Sequence, residues 1–153
     1  MTYYDTAFLA KCYLRETGHE TVRAHARAAG LIACCEIGRV ELMAVFQRHF
    51  REGRLDRKAF GIVIEQFNAD EAAGIWKWLP VTPFLLDAAA RHIVDLPTSV
   101  FLRAADAIHL TCALSAGLME IFTNDRHLLA ACPSFGLAGR NLLAEPPESG
   151  PFG

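Results

Sequence analysis

Four acidic residues, Asp5, Glu41, Asp106 and Asp125, are the side chains here whose types and placement could do chemistry. Asp106 lies in the stretch Leu102 to Leu110, LRAADAIHL, whose periodicity predicts the opening turns of a helix. Leu102, Ala105, His109 and Ala113 fall on the same side as Asp106, so the carboxylate points along a largely apolar stripe. A carboxylate there is costly to desolvate unless it is paired, hydrogen-bonded or bound to a cation. Gathered in one cleft, several carboxylates repel one another until a proton or a cation intervenes. Hard oxygen donors favour Mg²⁺ or Mn²⁺, and such an ion activates water and stabilises charge on a phosphoryl group. The chemistry suggested is hydrolysis of a phosphodiester. Four acids spread from residue 5 to residue 125 do not establish it by spacing alone.

The elements that must position these acids follow from patterning. Thr2-Tyr3-Tyr4 is a β-prone run feeding a helix through AFLAKCYLRE, ended by Gly18, with Asp5 at the strand's carboxyl end. A second helix runs through TVRAHARAAG to Gly30, and Leu31 to Cys35 is a compact apolar run that reads as a buried strand. Two helices, Gly38 to Phe50 and Asp56 to about Ala73, form an expected antiparallel hairpin, the first carrying Glu41. Ile75 to Val81 reads as a third strand, with Pro80 marking an edge or strand end. Thr82 caps a helix that starts at Pro83. After the Asp106 helix, Met119 to Thr123 reads as a fourth strand, and Asn124-Asp125 hands over to the helix RHLLAAC. A last short strand is expected near Phe135–Ala138. For Asp5 and Asp125 the alternative to a site role is helix capping; for Glu41 alone it is a solvated helix surface.

This alternation predicts a three-layer α/β/α sandwich around a mostly parallel five-stranded sheet. Ligands collect at the carboxyl ends of such strands, where strand order reverses. If the first and fourth strands are neighbours, Asp5 and Asp125 face one crevice, which is where Asp106 can find its partner. One domain over residues 1–143 is expected, followed by a Pro/Gly-rich, disordered tail over 144–153. A length of 153 residues suffices for one core, and 52% apolar with 21% charged residues is a globular composition. The net charge of −2 gives no global basic signature, so a nucleic acid needs a local basic face. No apolar run reaches the length of a membrane span, no signal peptide is evident, and five cysteines without a CxxC pair read as reduced thiols in a cytoplasm.

The chain resembles the PIN-domain ribonucleases of the VapC toxin type over nearly its whole length, about Thr2 to Leu143. The resemblance rests on Tyr4-Asp5-Thr6 followed by Lys11 and Tyr13, on Glu41 after the second strand, on Leu102 to Leu110, and on Phe122-Thr123-Asn124-Asp125-Arg126. It implies that Asp5, Glu41, Asp106 and Asp125 form an acidic site for Mg²⁺ or Mn²⁺. It also implies endonucleolytic cleavage of RNA, tRNA or rRNA being the expected substrates, a homodimer, and inhibition by a VapB-type antitoxin. Thr6 and Thr123 then sit beside the ligands, and Asn124 and Arg126 flank Asp125 where they can touch substrate or steady the site. Two positions depart from the family pattern: Ala7, where a serine is frequent, and Cys35, where a hydroxyl is common. The alternative function is therefore a catalytically inactive PIN-like module that binds nucleic acid or protein. A phosphohydrolase with a covalent aspartyl phosphate is disfavoured, because Thr6 and Ala7 follow Asp5 in place of a DxD motif.

Among the remaining residues, a Zn²⁺ site through His109 and His127 lacks the ligands to close it, and His109 is expected to pack or hydrogen-bond its helix. The cysteines read as core. Arg15, Arg23, Arg27, Arg39, Arg48, Arg51, Arg54 and Arg103 are candidates for phosphate contacts. Arg103 is favoured because it sits one turn before Asp106. Trp76, Trp78 and Phe84 could stack on bases, although an apolar run beside a strand more often means core.

Overall fold

The computed structural model describes residues 1–144; the tail expected to be disordered lies, apart from Ala144, outside the described residues. Five strands form one sheet: β1 (Thr2–Tyr4), β2 (Ile32–Cys35), β3 (Trp76–Leu79), β4 (Glu120–Phe122) and β5 (Ala138–Arg140). Their order is β3-β2-β1-β4-β5, and every pairing is parallel. Seven α-helices connect them: α1 (Thr6–Tyr13), α2 (His19–Ala29), α3 (Ile37–Arg51), α4 (Arg57–Ala72), α5 (Pro83–Val94), α6 (Ala104–Ser115) and α7 (Arg126–Ala131).

Strand β2 is apolar and buried at every position, and β1 nearly so, because both faces of the sheet are covered at its centre. Successive residues alternate between the two cores: Tyr3, Ala33 and Cys35 enter one with residues of α5, α6 and α7. Tyr4, Ile32 and Cys34 enter the other with residues of α1, α2, α3 and α4. This is the expected α/β/α sandwich. The chain moves outward from β1 through β2 to β3, then returns to the other side of β1 for β4 and β5. The reversal falls between β1 and β4, which are hydrogen-bonded neighbours, so the crevice at their carboxyl ends is the natural ligand site of the fold.

Four boundaries differ from expectation. Helix α1 stops at Tyr13, with Leu14 extended as its C-cap, and Gly18 starts α2 instead of ending α1. Gly18 has φ +79°, a left-handed conformation that a side chain would strain. Helix α6 begins at Ala104, because Arg103 is its extended N-cap. The last strand lies over Ala138–Arg140, not Phe135–Ala138, because Cys132–Phe135 close a 3₁₀ turn ended by the left-handed Gly136. Strand β3 ends at Leu79 on the sheet edge, so Pro80 costs no ladder bond. Among the described residues, no helix is long and apolar enough to cross a membrane.

Candidate active site

The four acids reach one cleft from four different elements. Asp5 follows β1 and is the N-cap of α1, its Oδ1 accepting from the Phe8 N–H at 2.8 Å. Asp125 follows β4 and caps α7, its Oδ1 accepting from the His127 and Leu128 N–H groups at 2.7 and 3.2 Å. The capping alternative is therefore true of both residues, but it occupies one carboxylate oxygen of each. The other oxygens face inward, and the cleft of about 320 Å³ is lined by Asp5, Glu41, Asp106 and Asp125 together with Arg48 and Arg103. A larger groove of about 700 Å³ lies elsewhere, beside Cys12, Arg23, Arg27 and Trp76. It holds none of the four acids, so chemistry and not size selects the smaller cleft.

Asp106 is 8% exposed on the first turn of α6. The partner it needs is Arg103, three residues earlier, whose Nε donates to Oδ2 at 2.8 Å. The same guanidinium donates from its other end to Asp125 Oδ2 at 2.6 Å. One cation thus spans two of the carboxylates, and their proximity raises the Arg103 pKa further, Asp106 being the main cause. Asp125 lies below the usual carboxylate range: partial burial works against this, but the two capping N–H groups and Arg103 outweigh it.

Asp5 is the opposite case. Burial pushes its carboxyl up to about 6, even though Thr123 and the Phe8 N–H donate to it and His109 lies near. The Thr123 hydroxyl donates to Asp5 Oδ2 and accepts from the Asp125 N–H at 2.9 Å, so one fully buried threonine links the two strand-end aspartates. Glu41, on α3, takes two donors on a single oxygen. Thr6 Oγ1 lies 2.5 Å and His109 Nε2 2.7 Å from Oε2. Burial opposes ionisation of Glu41, but the bonds from His109 and Thr6 and the charge of Arg103 leave its pKa lowered.

Asn124 and Arg126 are exposed next to Asp125 and do not line the cleft. The Arg126 Nε instead meets His127 at 3.3 Å. Of the arginines offered as phosphate contacts, Arg48 and Arg103 reach the cleft. Arg39 pairs with Glu71, Arg54 with Glu52, and Arg23 donates to backbone carbonyls of α1 and its cap. Trp76 and Trp78 donate their indole N–H groups to Tyr13 and Glu71, and Phe84 is exposed by a separate groove near Leu79. The residue that sequence reasoning underrated is His109. It does not bond along its own helix but joins β1 and α3, through Tyr3 and Glu41. Its spacing of three from Asp106 was the available signal.

A domain model matches residues 2–132, a span that contains all four acids; it describes the PIN domain. The chain belongs to the PIN domain family. Solved structures share this PIN fold at low identity. VapC20 of Mycobacterium tuberculosis, a toxin that cleaves the sarcin–ricin loop, is 17% identical with a TM-score of 0.65, covering 86% of this chain and 95% of its own. FitAB bound to an IR36 DNA fragment is 16% identical with a TM-score of 0.70, covering 97% and 99%. FitAcB from Neisseria gonorrhoeae is 16% identical with a TM-score of 0.67, covering 93% and 98%. No curated protein sequence matches the chain.

The donor set of this PIN domain suits a hard cation. Its cleft carboxylates supply oxygen, and no cysteine lines it. As the side chains stand, no three His, Cys, Asp or Glu groups among the described residues surround a common point. The cationic position between Asp106 and Asp125 is held by the Arg103 guanidinium.

Proposed function

We propose that this protein is a metal-dependent endoribonuclease acting as the toxin of a VapBC-type toxin–antitoxin pair. The observation that carries the reading is the convergence of Asp5, Glu41, Asp106 and Asp125 on one cleft at the switch point of a parallel sheet. Asp5, Asp106 and Asp125 would hold Mg²⁺ or Mn²⁺, in exchange for the Arg103 guanidinium that bridges Asp106 and Asp125. When bound, the ion supplies charge neutralisation at the scissile phosphate and a water of lowered pKa. Glu41, kept ionised by His109, Thr6 and Arg103, would orient an attacking water and accept its proton at Oε1, the oxygen not engaged by Thr6 and His109. The Thr123 hydroxyl holds Asp5 and the Asp125 backbone in register. Arg48 at the cleft wall, and Arg103 once released, meet the phosphates of the RNA. Asn124 and Arg126, exposed beside the cleft, contact the strand as it leaves.

VapC20 is a toxin that cleaves RNA, and likeness to it supports an RNA substrate, a tRNA or rRNA. Likeness to FitAB and FitAcB supports an antitoxin partner of the VapB type. The resemblance to this group supports a homodimer, and five free thiols support a cytoplasmic setting. Residues 1–143 form one PIN domain, since a single sheet separates both cores.

The test is cleavage of a mixed tRNA and rRNA pool with Mg²⁺ or Mn²⁺, with EDTA, and with Asp106→Asn, which keeps shape and removes charge. Discrete fragments that vanish with EDTA and with the variant are expected. RNA binding without cleavage under any divalent ion would instead make the protein an inactive binding module.

A further inference from the structure

We propose that His109 is a positioning residue for Glu41, acting as the last member of a buried hydrogen-bonded strut that runs from the centre of the sheet into the cleft. This rests on the reading of Glu41 as a site residue. The strut begins at the backbone of β2, where the Cys35 N–H donates to the Tyr3 hydroxyl at 3.1 Å. Tyr3 belongs to β1, the central strand, and is fully buried. Its hydroxyl meets His109 Nδ1 at 2.8 Å, and His109 Nε2 donates to Glu41 Oε2 at 2.7 Å. The strut therefore connects β2, β1, α6 and α3 in sequence, with partners 32, 106 and 68 residues apart.

Three observations argue that this is a device for Glu41 and not packing. First, His109 is 2% exposed among Ala107, Leu110, Cys112 and Ala113, positions where an aliphatic side chain would fill space without a desolvation cost. Second, Glu41 is one-third exposed and long, so it samples many rotamers unless something holds it. Third, His109 and Thr6 both engage the same oxygen, Oε2. Fixing one oxygen from two sides turns the other, Oε1, in a single direction. A carboxylate that must meet an ion or a water at one place needs this kind of outer support.

The donor needed at Glu41 sits at the far end of the imidazole. Glutamine places an N–H near the Nε2 position, whereas asparagine is too short and reaches only toward Tyr3. The experiment compares wild type, His109→Asn, His109→Gln and Tyr3→Phe by two readouts, with thermal unfolding confirming that each variant is folded. The first is the ¹³C signal of the Glu41 carboxyl in metal-free protein, assigned by its loss in Glu41→Gln. The second is Mn²⁺ affinity by calorimetry, without RNA. We expect His109→Asn to displace or broaden the Glu41 signal and to weaken Mn²⁺ binding by about 10- to 100-fold. His109→Gln restores both, and Tyr3→Phe gives a smaller loss in the same direction. An unmoved Glu41 signal in His109→Asn, or Gln behaving like Asn, overturns the proposal. So does unchanged Mn²⁺ affinity in His109→Asn when wild type binds the ion. If wild type binds no Mn²⁺ while the Glu41 signal still depends on His109, the metal reading of the site fails and the positioning role stands.

Discussion

Asp5→Asn separates the stability of this protein from its function. Burial raises the Asp5 pKa from 3.8 to about 6 in the metal-free fold. The folded chain therefore holds a proton through a pH window in which the unfolded chain has already lost it. Stability falls as pH rises between these two values, and the full cost applies above the upper one. About two pKa units at 1.36 kcal/mol each amount to roughly 3 kcal/mol. Asparagine is as good an N-cap as aspartate and can still accept from the Phe8 N–H, which bonds Asp5 Oδ1. It weakens the bond from Thr123, so a net gain of about 2 kcal/mol remains. In EDTA at about pH 7.5, the variant should outlast wild type in urea by that amount and melt roughly 4–8 °C higher. The gap should close by about pH 4, where wild-type Asp5 is protonated in the fold. Adding Mn²⁺ should stabilise wild type and leave the variant unchanged. A variant no more stable than wild type at the higher pH, or a gap that persists at the lower one, would refute the reasoning.

Other substitutions test the neighbours of that carboxylate. Arg103→Gln removes the cation that spans Asp106 and Asp125. A divalent ion about 5 Å from a guanidinium in water-like surroundings is repelled by about 2 kcal/mol, so Mn²⁺ affinity by calorimetry should rise roughly 10- to 30-fold. Arg103→Lys keeps the charge without the fork, and affinity equal to that of Arg103→Gln would show that the bridge itself competes with the metal. Gly38→Ala puts a Cβ 2.7 Å from Cys34 Sγ and 3.4 Å from Thr6 Oγ1, and should lower stability by about 1–3 kcal/mol in thermal unfolding. Gly61→Ala, in α4 with nothing within 4 Å of the added carbon, should raise it by about 0.5–1 kcal/mol.

The sequence made the frame of this fold legible because its signals are local. Thr2–Tyr4 is strand to the residue, since a β-prone triplet meets a capping aspartate there. Thr82-Pro83 marks the start of α5 for a similar reason. Strand β5 was displaced because Ala-Gly-Arg has little strand character of its own and is held by its pairing with β4. The end of α1 was misjudged because Leu14, which continues the apolar pattern, turns to extended backbone. At the site, the four acids were legible as a set, and their shared cleft followed from the β1–β4 neighbourhood. The partner of Asp106 was sought among distant residues and is Arg103, within the same turn. His109 went the other way: its ligation pattern depends on Tyr3 and Glu41, far off in sequence, and no local pattern announces such partners.

The position of β1 has a consequence for how the protein comes into being. It is the first strand made and the central strand of the sheet, flanked by β2 and by β4. During synthesis, Asp5 emerges early but has only Glu41 as a companion carboxylate until Asp106 and Asp125 follow. The β1 edge that pairs with β4 stays bare until residues 120–122 arrive. A nascent chain therefore cannot present the four acids together until β4 and Asp125 have been made. On the toxin reading proposed above, that order of assembly keeps unfinished chains silent and gives an inhibitor a complete surface to meet.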